Sequence, residues 1–282
     1  PSCVSEFLRP PRAGPITPFL YPRCDVSQSI FRSVNLQMAE SRDQSLRYVE
    51  GSSEIMVEVV GNPFLTIQGE GPFAGQVAVF VRLAGCNLMC GSCDTDYTNG
   101  RQYRKISEVV TWVKDRLARC RFSGGQVPLV VITGGEPLRQ RAALFLIRQL
   151  LLDDDRLHVQ VETNGTIHPA DEYCPLPTYS GRLTVVVSPK TPTMPQGVRD
   201  MASCFKYVME AAAVDPTDGL PSITISGLRP ARPPVGVPVY LQPADAYGDS
   251  ATYEKNVAAV VQSCLKFGYR LSLQTHKFIG VP

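Results

Sequence analysis

A series of short apolar runs recurs along the chain, and most of them end in a polar or glycine-bearing motif. Ile55–Val60 alternates around Met56 and Glu58 and predicts a first strand or a lead-in to one. Val77–Leu83 reads Val-Ala-Val-Phe-Val-Arg-Leu and predicts a buried strand with a single charge, Arg82, in its second half. Residues 128–132, 157–162, 183–187, 205–209 and 237–241 continue the strand series. Helical spacing governs residues 107–120, where Val109, Val110, Val113, Leu117 and Cys120 share a face and Ser107 is placed to cap the start. Trp112 and Cys120 are packing residues of that helix. Two more helices are predicted, over 138–152 and over 253–267, the second stopped by Gly268. A proline- and glycine-rich stretch over 216–238 predicts a surface loop or hairpin with a short strand-like piece at 222–226, and residues 269–275 predict a last strand. Strands alternating with helices make this an α/β chain, a class that places functional loops beyond the carboxyl ends of parallel strands.

The motifs sit at those ends. Cys86, Cys90 and Cys93 follow the strand at 77–83 in a C-x3-C-x2-C spacing, on a loop that carries Gly85 and Gly91. Thiolates so spaced can surround one side of a cubic iron–sulfur cluster, which is usually held by four cysteines. The next cysteine is Cys120, on a predicted helix, so one iron is left open to a small molecule. Zinc is the competing chemistry, and wants four protein ligands for structure or three plus water for catalysis. Thr133-Gly134-Gly135-Glu136-Pro137 joins a strand to a helix start; its glycines let backbone approach a bound amino-acid moiety, and Glu136 suits that moiety's ammonium. In Gln68-Gly69-Glu70-Gly71-Pro72, glycines on both sides of Glu70 permit positive φ and close approach to a planar ligand. Arg82 is either an edge arginine lying along apolar surface or a guanidinium for bidentate capture of a carboxylate. Lys190, in Ser188-Pro189-Lys190, is either a surface lysine or part of a pocket. His158, His168 and His276 have no spaced partner that would suggest a metal ligand.

Phe64-Leu65-Thr66-Ile67-Gln68-Gly69-Glu70-Gly71, the cysteine trio closed by Cys93-Asp94-Thr95, Thr133-Gly134-Gly135-Glu136-Pro137, Glu162-Thr163-Asn164-Gly165-Thr166 and Ser188-Pro189-Lys190 occur in this order. The ordered set resembles the 7-carboxy-7-deazaguanine synthase family of the radical S-adenosylmethionine superfamily, over about residues 54–282. That resemblance implies a partial (β/α) barrel with abbreviated helices, preceded by an irregular extension. It implies a [4Fe-4S] cluster on Cys86, Cys90 and Cys93, and S-adenosylmethionine held by Ser92, Cys93, Asp94, Gly135, Glu136, Ser188, Pro189, Lys190 and Gln242. Substrate contacts fall to Ile67, Gln68, Gly69, Glu70, Arg82, Thr133 and Pro282, with Mg2+ bridging the substrate carboxylate and the Thr95 hydroxyl. No side chain is expected to be catalytic, because the radical derives from the cofactor. The implied reaction converts 6-carboxy-5,6,7,8-tetrahydropterin to 7-carboxy-7-deazaguanine with loss of ammonia, for queuosine-type deazapurine nucleosides. A homodimer and an electron donor such as flavodoxin accompany it. One position departs from the family: an aromatic usually precedes the third cysteine, where this chain has Ser92, and Tyr97 is the nearby substitute. A glycyl-radical-enzyme activase would share the trio and the glycine-rich loop, and a noncatalytic zinc-binding module is the alternative of another class.

Composition narrows the setting. A chain of 282 residues with 44% hydrophobic content can bury one substantial core. Its formal net charge of +2, with both signs interspersed, makes no electrostatic case for nucleic acid or a membrane surface as a partner. No apolar run approaches the roughly 18 residues that read as a membrane span, and no secretory pattern opens the chain, so a cytoplasmic protein is expected. Nine cysteines is an odd count, and the tight trio favours metal over a disulfide framework. Residues 1–53 differ from the rest, with Pro10, Pro11, Pro15, Pro18 and Pro22, isolated Cys3 and Cys24, and no periodicity. They are expected to be a poorly ordered extension, with the catalytic domain over 54–282. The chain opens without methionine, and a processed product or a natural start near Met38 both fit.

Overall fold

The computed structural model describes residues 46–91, 93, 95–122, 126–168 and 181–282. Residues 1–45, and with them most of the expected extension, lie outside the described residues. The described strands are β1 (Arg47–Tyr48), β2 (Ile55–Val60), β3 (Phe64–Ile67), β4 (Val77–Leu83), β5 (Arg101–Lys105), β6 (Leu129–Gly134), β7 (His158–Thr163), β8 (Leu183–Val187), β9 (Cys204–Met209), β10 (Val239–Pro243) and β11 (Arg270–Leu271). They form one sheet in the order β1-β2-β4-β6-β7-β8-β9-β10-β11, with β3 on β4 and β5 on β2. From β4 to β11 every neighbour in that order is parallel. β2 and β3 run antiparallel to β4. The helices are α1 (Ile106–Leu117), α2 (Ala142–Asp153), α3 (Gln196–Met201), α4 (Ser250–Phe267) and α5 (Thr275–Ile279). α3 has only 6 residues, and the β9 to β10 crossover has only a 3-10 turn at Ala211–Ala213. The fold is a partial (β/α) barrel with abbreviated helices.

Alternation along each strand decides which residues pack and which face the concave side. Val79, Val81 and Leu83 of β4, Val130 and Ile132 of β6, and Val159 and Val161 of β7 meet the apolar faces of α1 and α2. Val185 and Val187, Phe205, Tyr207 and Met209, and Val239 and Leu241 form a second core against α3 and α4. Leu146, Ile147 and Leu150 of α2 are almost wholly buried, and each such side chain contributes about 1.5–3 kcal/mol of apolar burial. On the concave face the character changes along the strands. Ala78, Leu129 and Val131 fill the end nearest the strand starts, and Arg82, Thr133, Glu162, Lys206 and Gln242 stand nearer the carboxyl ends.

Several local expectations are corrected. α1 begins at Ile106, not at a Ser107 cap, because β5 runs straight into it: Lys105 is the N-cap and the Glu108 carboxylate accepts from its N–H at 3.2 Å. The Ser107 hydroxyl donates to Glu54 instead. Cys120 lies beyond the helix, half-buried in a turn. The second helix opens with a 3-10 turn at Pro137–Arg139 and becomes α-helical only at Ala142. The strand-like piece at 222–226 is irregular, and an isolated bridge joins Val214 to Pro221 instead. The expected last strand over 269–275 shrinks to β11, after which the chain coils into α5. β1 pairs with β2 through Arg47 and Met56, so the sheet takes in residues that composition assigned to the extension. Gly268 does close α4, in the left-handed conformation at φ 76° with its N–H on Cys264 O. Among the described residues, no helix is long and apolar enough to cross a membrane.

Candidate active site

A cavity of about 300 Å³ opens at the carboxyl ends of the parallel strands. The loop leaving β4 brings Cys86, Cys90, Cys93 and Thr95 to it, and β6 brings Thr133 and Gly135. β8 is followed by Ser188 and Lys190, and β10 carries Gln242. Ile67, Gln68, Glu70, Arg82 and Pro282 complete the expected residues on the wall. Gly69, Glu136 and Pro189 are buried just behind the wall. Ser92 and Asp94 lie outside the described residues; Tyr97 does line the cavity, its hydroxyl 3.5 Å from Leu88 O.

The cysteine loop is tied to its neighbours by backbone. Gly85 N donates to Tyr97 O at 3.2 Å, while Gly85 O accepts from Glu136 N at 2.9 Å. Asn87 is braced by Thr166 and Asn164 at 2.8 and 3.0 Å. The glycines of the Gly-Gly-Glu-Pro motif serve this packing: a Cβ on Gly134 would lie 2.0 Å from Leu83 O, and one on Gly135 2.1 Å from Gly85 O. The close approach they permit is that of the β4 end, and Gly135 lines the cavity as well. Glu136 is a correction. It is fully buried, and its carboxylate accepts from Leu138 N at 3.0 Å, Thr163 Oγ1 at 2.8 Å and Asn164 N at 2.6 Å. Burial pushes its carboxyl up to about 7, with those hydrogen bonds opposing. It ties the loop after β6 to the end of β7 and does not present itself to an ammonium.

Burial also raises the Cys86 and Cys90 thiols above the ordinary cysteine value, and Cys93 is exposed. The thiols ring a cavity; among the described residues no three His, Cys, Asp or Glu side chains converge to hold a single ion. A cluster whose thiolates bind different irons calls for a ring of this kind, and the all-sulfur donor set fits iron–sulfur chemistry. Gln242 is 4% exposed, and its Oε1 has no hydrogen-bond partner among the described residues. A buried orphan acceptor on a cavity wall fits a bound ligand with N–H groups.

Polar residues that sequence reasoning left without a role complete the wall. Glu162 accepts from Gln68 at 3.2 Å, Gln160 at 2.9 Å and Thr133 at 3.0 Å. Lys206 pairs with Glu70, and Lys277 with Asp245 at 2.5 Å. His276 lies so close to Gly69 that a Cβ there would overlap its ring. The signal for Lys206 was a lone charge in an apolar strand, and for Glu162 its place at the polar end of an inward-facing row. Arg82, by contrast, has no hydrogen bond or ion pair among the described residues.

Comparison with known proteins agrees with this arrangement. A model of the radical SAM superfamily matches residues 81–211. A 7-carboxy-7-deazaguanine synthase of Rhodospirillum rubrum is 42% identical over 226 residues, 77% of this chain and 90% of that protein. One of Rickettsia prowazekii is 37% identical over 223 residues, 77% of this chain and 86% of that protein. The crystal structure of QueE from Escherichia coli matches at a TM-score of 0.51 and 22% identity, over 77% of this chain and 93% of that one, a likeness of fold. Radical SAM proteins work with a [4Fe-4S] cluster and S-adenosylmethionine, for which the thiol ring and the cavity are suited. The ordered motifs, the cavity they line and identity along most of both sequences lead to one conclusion: the chain belongs to the 7-carboxy-7-deazaguanine synthase family of the radical SAM superfamily.

Proposed function

We propose that this chain converts 6-carboxy-5,6,7,8-tetrahydropterin to 7-carboxy-7-deazaguanine with loss of ammonia. The observation that carries the reading is one cavity wall holding the thiol ring, a guanidinium with no partner among the described residues and an array of fixed hydrogen-bond acceptors. Cys86, Cys90 and Cys93 would hold the cluster. Gly135, Ser188, Lys190 and Gln242 would hold S-adenosylmethionine, with Pro189 and Glu136 supporting the wall from behind. The chemistry these groups supply when bound is reductive cleavage of the sulfonium to methionine and a hydrogen-abstracting 5′-deoxyadenosyl group. The remaining work is the chain's own. Arg82 neutralises and orients the substrate carboxylate through paired N–H donors. Thr133, held against Glu162, and the segment from Ile67 to Glu70 fix the heterocycle, and Pro282 closes the wall. Burial of the cavity floor keeps water from the reacting carbon.

Mg2+ belongs to the proposal through Thr95, whose hydroxyl oxygen is a ligand of the hard type this ion takes. An electron donor of the flavodoxin kind is supported by the exposure of Cys93 and of Met89, 96% accessible beside Cys90. A homodimer is carried over from the resemblance. The test is anaerobic reconstitution followed by incubation with S-adenosylmethionine, reductant, Mg2+ and the carboxypterin. 5′-Deoxyadenosine and 7-carboxy-7-deazaguanine are expected together, with turnover lowered when Mg2+ is omitted. Cleavage of S-adenosylmethionine with no deazaguanine would overturn the substrate assignment.

A further inference from the structure

Lys206 stands on β9 among Cys204, Phe205, Tyr207, Val208 and Met209, the one charge in an apolar strand. It is 8% exposed, and a lysine so deep is rarely tolerated without a partner. Its ammonium donates to Glu70 Oε2. Glu70 Oε1 accepts from Gln274 Nε2 at 2.8 Å. The Glu70 backbone is fixed as well: its N–H donates to Gln68 Oε1 at 3.1 Å, and the preceding Gly69 O accepts from Thr275 N at 3.1 Å. Three remote segments, the turn after β3, the inner face of β9 and the approach to α5, therefore meet on one carboxylate, and Glu70, Lys206 and Gln274 all line the cavity.

A carboxylate in such a place is costly. Burial pushes Glu70 up, and the Lys206 ammonium, the Gln274 amide and the more distant His276 on α5 more than offset it, leaving the group below the ordinary carboxylate value. A clamp on three sides goes beyond holding a turn shut, because the turn is already closed by Gln68 N on Gln76 O at 2.8 Å and Gly75 N on Gln68 O at 2.7 Å. The clamp sets the charge and direction of an acceptor facing the cavity.

We infer that Lys206 is a positioning residue for substrate recognition: it holds the Glu70 carboxylate ionised and aimed, so that Glu70 accepts N–H groups of an amine-bearing heterocycle. The identity of that heterocycle rests on the proposed function. Lys206 acts through Glu70.

The experiment compares reconstituted wild type, Lys206→Met, Glu70→Gln and the double variant, with iron content and S-adenosylmethionine binding as controls for folding. Kinetics and calorimetric binding use 6-carboxy-5,6,7,8-tetrahydropterin. Lys206→Met is expected to raise KM and Kd about a hundredfold, as expected for stranding one partner of a buried charge pair, with kcat changed no more than about threefold. Without the cation, the burial that raises the Glu70 carboxyl loses its main opposition, so the defect shrinks as pH rises. Glu70→Gln shows a comparable loss that does not recover with pH, and the double variant is no worse than Glu70→Gln. Should Lys206→Met fail to incorporate iron, Gln274→Leu removes the other arm and is expected to raise KM about tenfold. A Lys206→Met or Gln274→Leu protein with wild-type KM, a pH-independent defect in Lys206→Met, or additive losses in the double variant would overturn the inference alone. Wild type that cleaves S-adenosylmethionine yet neither binds nor converts the pterin would overturn the proposed function and the inference with it.

Discussion

At the scale of single residues, the site depends on polar side chains that hold other side chains. Glu136 takes hydrogen bonds from two backbone amides and a threonine with no exposure of its own. Glu136→Ala strands those donors in a dry place and is expected to cost about 3 kcal/mol or more in urea unfolding, where a loss under about 1 kcal/mol would contradict the staple role. Glu70 carries a pH signature. Burial raises its carboxyl, but Lys206 and Gln274 more than offset this and hold it below the ordinary glutamate value, so its contribution is present above that value and is lost as pH falls through the folded pKa. The stability gap between wild type and Glu70→Gln should therefore hold through neutral pH and narrow as pH falls below the ordinary carboxylate value, and a gap that widens there would refute this assignment. Arg82 was legible because a lone charge interrupts an apolar run. Lys206 has the same signature and was passed over, since its partner Glu70 is 136 positions away and only the closed sheet brings them together. Glu136 was legible as important and misread in role, because sequence gives no sign of which way a carboxylate in a glycine turn will point.

Among the secondary-structure elements, periodicity was most informative where a strand sends apolar side chains into the core. Ile55–Val60, Val77–Leu83 and Leu183–Val187 match their expected bounds. Short edge elements escaped: β5, Arg-Gln-Tyr-Arg-Lys, has no apolar pattern because it borders β2 with its far edge exposed to solvent. α5 escaped because 5 residues are too few to display a helical period, and its position comes from tertiary bonds such as Thr275 N to Gly69 O at 3.1 Å. The end of α4 was readable from Gly268 alone. At φ 76° any L side chain is strained, and Gly268→Ala is expected to lower stability by about 1 kcal/mol in thermal or urea unfolding while leaving iron incorporation unchanged. An unchanged or raised midpoint would mean that the cap is not held in the left-handed conformation.

For the whole molecule, the design is an apolar convex core with a concave face whose chemistry is set at one end of the strands. Each parallel strand contributes a short polar ending, so residues from positions 67 to 282 share one wall. The order of these endings along the chain made the family visible before the fold was known, whereas cross-chain pairings such as Gln68 with Glu162 were not. Gly135→Ala tests the coupling between wall and cluster loop: its Cβ would collide with Gly85 O and Cys86 Cβ, and reconstitution should yield markedly less iron at similar overall secondary structure, where full iron loading would argue that the two backbones are not in contact. The most direct measurement is electron paramagnetic resonance of the anaerobically reconstituted, reduced protein with and without S-adenosylmethionine. A [4Fe-4S] signal whose line shape changes when S-adenosylmethionine is added is predicted, because Cys86, Cys90 and Cys93 leave one iron open; no such cluster, or a signal indifferent to that compound, would contradict the account.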